Sequence, residues 1–164
     1  MGWYPKTPLE LEESFHDDAA CRAYLEEIRW PDGFRCPSCD HLKGLAVRRN
    51  LWRCKACGRE SSVTVGTIFQ DSKLPLPVWF RGMWYVTSQK NGISALELQR
   101  VLGLGSYRTA WLMLHKLRKA MVRPGREQLK GSVEVDETFW GAPQTGSRGR
   151  GAESKVLLAV AAEQ

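Results

Sequence analysis

Residues 36–57, CPSCDHLKGLAVRRNLWRCKAC, contain two Cys-x-x-Cys pairs, with 14 residues between Cys39 and Cys54. Two residues between cysteines let both sulfurs of one turn face the same ion, and zinc prefers four such ligands in a tetrahedron. The spacing between the pairs has room for one β-hairpin and lies just below that of known ribbons. We therefore predict a zinc ribbon over residues 34–70 with a closed, structural zinc site. Its four ligands are Cys36, Cys39, Cys54 and Cys57.

Two alternative roles for these cysteines are weaker. One is a set of four unrelated cysteines, and the second is a redox role, which would require a βαβ pattern that neither pair has. The fifth cysteine, Cys21, falls on one face of a helix predicted over residues 15–30, together with Tyr24, Leu25 and Ile28. We predict that Cys21 is a small buried hydrophobe rather than a fifth ligand.

The chain has 164 residues and a net charge of +6, and 26% of its residues are charged. No run approaches the roughly 18 apolar residues of a membrane helix, and the N-terminus lacks the order of a signal peptide. We therefore expect a cytoplasmic protein with no membrane partner. In that compartment thiols stay reduced, so paired cysteines favour a metal over a disulfide.

The positive charge is concentrated in residues 100–130, which hold eight Lys/Arg against one acidic residue, Glu127. Such a local excess implies a polyanionic partner, most simply nucleic acid. The alternative for a charge run of this kind is an ordinary solvated helix face.

Residues 71–130 are predicted to form a helical bundle. A short turn, Gly103-Leu104-Gly105, joins two helices predicted over residues 93–102 and 106–121. Two helices joined by a short glycine-containing turn match the helix-turn-helix pattern. The alternative is a plain helical bundle that packs on a neighbouring domain. The predicted buried stripe of the last helix is Ala110, Leu114, Leu117 and Met121.

The second helix of such a motif places its N-terminal part in the major groove, where side chains reach base edges. The candidate base-contacting residues are Ser106, which can also cap the helix, Arg108, Thr109 and Leu112. Basic residues further along are better placed for phosphates, which give affinity and salt dependence but no sequence choice. These phosphate candidates are Lys116, Arg118, Lys119 and Arg123.

Residues 133–139, VEVDETF, alternate apolar and acidic side chains and predict a strand. A second and more buried strand is predicted for KVLLAVAA, residues 155–162. Asp136, in the middle of the first strand, is a candidate metal ligand, because phosphoryl transfer on DNA commonly uses two Mg²⁺ ions held by several carboxylates. One aspartate cannot hold two ions, and the alternative is a solvent-facing acidic residue.

Five motifs follow one another along the chain, namely RWPDGFRCPSC, WRCKACGRESSVTVGTIF, LPLPVWF, GISALELQRVLG and VEVDETFWG. In this order they resemble the motifs of zinc-ribbon insertion-sequence transposases of the DDE type, over essentially the whole chain. The resemblance implies DNA cutting and joining at transposon ends by an RNase H-like domain with Mg²⁺ or Mn²⁺. It also implies that the four cysteines are the zinc ligands and that Asp136 is the first catalytic carboxylate, while the role of Glu137 stays open.

The chain departs from the resembled family at its C-terminus. The second and third catalytic carboxylates of that family lie beyond the second strand, whereas this sequence ends at Gln164. We therefore expect a C-terminally truncated transposase with an incomplete catalytic site, which does not carry out strand transfer alone.

The expected fold is α+β with four modules. The expected function is DNA binding in DNA transposition and recombination, with double-stranded DNA at transposon ends as the partner and a homo-oligomer left open. A non-enzymatic regulator with a zinc ribbon and a helix-turn-helix is the alternative, although it would not need VEVDETFW, and a ribbon for protein contacts is a third. The modules are an N-terminal helical segment (1–33), the zinc ribbon (34–70), the helix-turn-helix bundle (71–130) and the first β-hairpin of an incomplete RNase H-like domain (131–164).

Overall fold

The computed structural model describes residues 4–122, 125, 128–141 and 156–163. The chain divides into two compact units, Met1–Val122 and Arg123–Gln164, and contains both helices and small sheets. The α+β class is therefore confirmed, whereas the division into four modules stays a prediction. The structure contains no helix, among the residues it describes, that is long and apolar enough to cross a membrane.

The first unit contains helices at both ends and a small sheet between them. The sheet is antiparallel, in the order β1-β2-β3. The helices are α1 (Pro8–Ser14), α2 (Asp18–Arg29), α3 (Leu76–Ser88), α4 (Ala95–Val101) and α5 (Tyr107–Met121), and the strands are β1 (Gly44–Val47), β2 (Leu51–Cys54) and β3 (Glu60–Ser61).

Side-chain caps set the first residue of three of these helices. Asp17 accepts a hydrogen bond from the Ala20 N–H at the start of α2, and Ser94 accepts one from the Glu97 N–H at the start of α4. These caps satisfy amide groups that have no partner inside the helix. Thr7 does the same for α1. Ser106 occupies the cap position of α5 but makes no side-chain cap hydrogen bond, so this part of the prediction is wrong.

The ribbon sheet pairs Gly44 with Cys54 and Val47 with Leu51, which places the end of β2 at the predicted metal site. The turn between β1 and β2 is closed by Asn50, a residue that tolerates its positive φ of 58°. The stretch SSVTV, residues 61–65, predicts a third strand, but that strand is limited to Glu60–Ser61 in the structure. The chain then leaves the sheet through turns.

Two hydrophobic clusters hold the first unit together. The larger one joins α1 and α2 to the three C-terminal helices, with Phe15, Phe80 and Leu98 among its buried members. The smaller one lies under the ribbon and contains Trp30, Phe34, Cys36, Cys54 and Val63. Leu25 on α2 packs against both clusters, so contacts cross the predicted boundary between residues 33 and 34.

Helix α5 packs on α3 and α4 through one face. Ala110, Leu114 and Leu117 are buried as predicted. Met121 is 60% exposed, in contrast to the predicted stripe, and Met113 is buried in its place. Met113 lies between Ala110 and Leu117 on the helix surface, because residues three and four apart are neighbours, whereas Met121 lies at the last turn.

The second unit contains an antiparallel hairpin of β4 (Val133–Trp140) and β5 (Val156–Glu163), with Asp136 opposite Val160. Nearly every residue of both strands is exposed, so the expectation of a more buried second strand is wrong. An apolar strand is buried only where another layer covers it, and the described residues of this unit contain these two strands alone. The glycine-rich stretch between the two strands, residues 142–151, which the sequence predicts to be a basic loop, lies outside the described residues.

Candidate metal centre and DNA-contacting helix

The two Cys-x-x-Cys turns have the same backbone geometry. In the first, the Cys36 carbonyl accepts from the Asp40 N–H, and in the second the Cys54 carbonyl accepts from the Gly58 N–H, both at 3.0 Å. The residue after the second cysteine has a positive φ in each turn, 56° at Asp40 and 69° at Gly58. Glycine adopts this conformation without strain and aspartate is among the residues that tolerate it. The glycine makes the second turn predictable from the sequence, whereas the equivalent role of Asp40 was missed.

The four cysteine sulfurs lie within 4.8 Å of one another. Across the two turns, the Cys36 and Cys57 sulfurs are 3.7 Å apart, and the Cys39 and Cys54 sulfurs are 3.6 Å apart. A tetrahedral zinc ion with Zn–S bonds of about 2.3 Å requires sulfurs separated by about 3.8 Å. The residues therefore fit one structural zinc ion with four thiolate ligands, which leaves no position for a catalytic water.

Backbone N–H groups favour thiolate at the first cysteine of each turn. The Ser38 N–H, with that of Cys39, lowers the pKa of Cys36 to about 6 against the opposing effect of burial. The N–H groups of Cys57 and Ala56 likewise lower the pKa of Cys54. Zinc binds the thiolate form, so these amides prepare the site for the metal.

Aromatic side chains pack in the same hydrophobic cluster as Cys36 and Cys54 of the metal site. The Phe34 ring stacks on Trp52, with centroids 5.4 Å apart, and meets Trp30 edge-on at 5.0 Å. The Trp52 indole N–H donates to Glu26 on α2 at 3.1 Å. Gly44 leaves the room that this stack needs, because a Cβ there would lie 2.4 Å from the Phe34 ring.

Cys21 is not part of the metal centre. Its side chain is fully buried in the larger hydrophobic cluster. Burial, with a smaller contribution from Asp18, raises the pKa of its thiol to about 12. The prediction that Cys21 is a buried hydrophobe rather than a ligand is confirmed, whereas Ile28, predicted on the same helix face, is 56% exposed.

The segment after β3 is held by two cations from different helices. The Arg29 guanidinium on α2 donates to the carbonyls of Val63 and Val65, both at 2.6 Å. The Lys116 ammonium on α5 donates to the carbonyls of Ile68 and Gln70, at 3.1 and 3.4 Å. We call residues 62–70 the strap, since these contacts hold the last part of the ribbon against α2 and α5.

The candidate DNA-contacting residues on α5 lie on different sides of that helix. An outward strip, opposite the packed face, contains Arg108, Leu112, His115 and Lys119, all exposed. Thr109 is half-buried and, with Lys116, lines a cleft against residues 72–74. The Lys116 ammonium is engaged with the strap rather than directed outward. Ser106 and Arg118 are exposed, and Arg123 lies outside the described residues.

Aromatic residues beside the outward strip were not among the predicted site residues. Tyr107 and Trp111 are 52% and 43% exposed. The rings of Trp111 and His115 are in contact, with centroids 3.9 Å apart. Helical spacing of i and i+4 along a helix that has no acidic residue is the sequence signal that could have identified them.

Asp136 lies exposed on β4 and accepts a hydrogen bond from the Glu137 N–H at 2.8 Å. Alternation along the strand puts Glu134 on the same face as Asp136 and Glu137 on the opposite face. The part of the chain that the structure describes has one group of three or more candidate metal ligands, the four cysteines, so Asp136 belongs to none. The described residues around Asp136 therefore do not provide the several carboxylates that a two-metal catalytic site requires.

Comparison with known proteins relates the chain to mobile elements. Residues 16–60 match the family described as transposase zinc-ribbon domain. The chain is also 28% identical, over 93% of its length, to an uncharacterized protein in transposable element ISH50 of Halobacterium salinarum. The chain spans 57% of that relative's length, and no solved structure matches it. Both findings support the resemblance to zinc-ribbon insertion-sequence transposases that the sequence motifs indicate.

Proposed function

We propose that this chain binds double-stranded DNA through α5 as the DNA-recognition part of a transposase. The observation that carries the proposal is the outward strip, in which Arg108 and Lys119 are exposed on a helix without any acidic residue. Arg118 adds a third exposed cation beside that strip. Clustered cations of this kind neutralise phosphates and release counterions, which is the main source of affinity for DNA.

The two ion pairs of the ribbon strengthen the case for a polyanionic partner. Residues 34–70 hold seven Lys/Arg and two acidic residues, Asp40 and Glu60. Both acidic side chains are paired within the ribbon, with Arg35 and Arg53 respectively. The ribbon therefore keeps an excess of positive charge even when the zinc ion and its four thiolates, which together carry two negative charges, are included.

The test replaces the two cations of the outward strip, Arg108→Ala with Lys119→Ala. Binding of a labelled DNA duplex is measured by fluorescence anisotropy across a salt series. Loss of two phosphate contacts should reduce the slope of log K against log salt by about 2. The matched control is Arg81→Ala with Lys90→Ala, which removes the same charge from exposed positions off α5 and should leave the slope near that of the unchanged protein. An equal effect of the two double variants would remove α5 from the interface.

Cutting and joining of DNA is a separate part of the proposed function. The resemblance assigns the first catalytic carboxylate to Asp136, but the described residues do not assemble a metal site around it. This observation favours the second candidate, a DNA-binding protein that occupies transposon ends without strand transfer. Mg²⁺-dependent joining of transposon-end DNA by the purified 164-residue chain, lost on Asp136→Asn, would decide for the enzyme.

A further inference from the structure

The aromatic flank of α5, Tyr107, Trp111 and His115, is unusual for a helix that is otherwise packed or charged. About 100° of rotation per residue puts Trp111 next to the outward strip and away from the flank that faces the strap. In residues 4–122, Trp30, Trp79 and Trp84 are buried and Trp52 is half-buried, whereas Trp111 is exposed. Tyr107 and Leu112, which neighbour Trp111 on the helix, are exposed as well, and a contiguous exposed apolar patch of this kind indicates a binding surface.

Charge around this ring restricts what can cover it. Arg108, Arg118 and Lys119 are exposed on the same side of α5, and residues 107–121 contain no Asp or Glu. A partner that complements this surface must therefore carry negative charge and also present a flat apolar face. Nucleic acid with unpaired bases has both, because its backbone is anionic and each exposed base is a π-face.

A continuous duplex would leave the aromatic flank unused. Its bases are stacked on one another, so they present only edges in the grooves. An unpaired base can leave the stack and lie against an aromatic side chain. The Trp111 indole is already in contact with a second ring, that of His115, with centroids 3.9 Å apart.

We propose that Trp111, supported by His115 and flanked by Tyr107, is a stacking site for an unpaired nucleotide base. Helix α5 then binds DNA more tightly where the duplex is interrupted than where it is continuous. This inference rests on the proposed function, in that it requires this chain to bind DNA. It adds a preference for DNA structure that phosphate contacts cannot give.

The test compares two probes, a continuous DNA duplex and the same duplex with three unpaired thymines in one strand. Trp111→Ala should weaken binding of the interrupted probe by about 5- to 150-fold, the range found for loss of one base–aromatic stack, and that of the continuous probe by no more than about twofold. Trp111→Phe should recover most of the loss, because it keeps an aromatic face. Leu96→Ala, which shortens an exposed apolar side chain on α4, is the matched control and should leave both probes unaffected.

Three outcomes would overturn the stacking site. The first two are an equal loss on both probes and no loss on either probe. The third is a light-scattering result in which the unchanged protein is a dimer and the Trp111→Ala variant is a monomer, since the aromatic flank would then be a protein interface. Failure of the proposed function has a different signature, namely an unchanged salt slope when Arg108 and Lys119 are replaced. If the loss caused by Trp111→Ala is still confined to the interrupted probe in that case, the stacking site stands and the phosphate contacts lie elsewhere.

Discussion

Replacing Cys57 with serine removes one zinc ligand at little cost in packing, since Cys57 is exposed whereas Cys36 and Cys54 are buried. A structural zinc ion contributes an apparent 10–16 kcal/mol, so one of four ligands corresponds to about 2.5–4 kcal/mol. At about 1.4 kcal/mol for each factor of ten, zinc should bind two to three orders of magnitude more weakly. We treat the four ligands as equivalent, in keeping with the similar sulfur separations across the two turns, 3.7 and 3.6 Å.

The assay is competition for zinc against a chromophoric chelator, followed by thermal unfolding of the zinc-loaded protein. We expect Cys57→Ser to lower the Tm by on the order of 10 °C, because part of the metal's binding energy is folding energy. Ala56→Ser is the matched control, since it adds the same hydroxyl at an exposed position one residue earlier without removing a ligand. Unchanged zinc affinity in Cys57→Ser, or an equal loss in the control, would refute the site with four cysteine ligands.

Contacts of Cys21, Gly44 and Lys116 lead to three more predictions. Cys21 should resist alkylation at pH 8 even after zinc is chelated, because a pKa of about 12 leaves on the order of one thiol in 10⁴ ionised; counting modified cysteines by mass should give four with chelator and five only after denaturation. Gly44→Ala should lower the free energy of unfolding by about 1–3 kcal/mol in urea titration, since its Cβ meets the rigidly stacked Phe34 ring, whereas Gly82→Ala should cost less because its closest contact is the flexible Met113 side chain; equal losses would contradict this. Lys116→Ala should lower the Tm and change the DNA salt slope little, because its ammonium binds the strap; a fall of about one in the slope would show a phosphate contact instead.

The local signals in the sequence were strong where one residue type performs one task. The cysteine spacing predicted the metal centre, and the glycine turn at 103–105 predicted the separation of α4 from α5. Each of these depends on a few bonds close in sequence, so no knowledge of distant neighbours is needed.

What the sequence could not provide depends on contacts distant along the chain. The engagement of Lys116 with carbonyls about 48 residues away has no local pattern, so a basic residue on a basic helix was assigned to phosphates. The burial of Met113 depends on Gly82 of α3, which leaves room for the Met113 sulfur. The exposure of β5 depends on whether another layer covers it, and its apolar composition cannot report that.

The strap determines how this protein could be divided or recombined. The family match ends at residue 60, before the segment in which Arg29 and Lys116 bind four carbonyls between Val63 and Gln70. A ribbon cut at residue 60 would lose these four hydrogen bonds. A ribbon transplanted from a relative with the same boundary would pack against α5 without them. The exchangeable piece therefore extends to residue 70 and requires a matching cation on the receiving helix. Chimeras joined at residue 60 should be less stable than chimeras joined at residue 70.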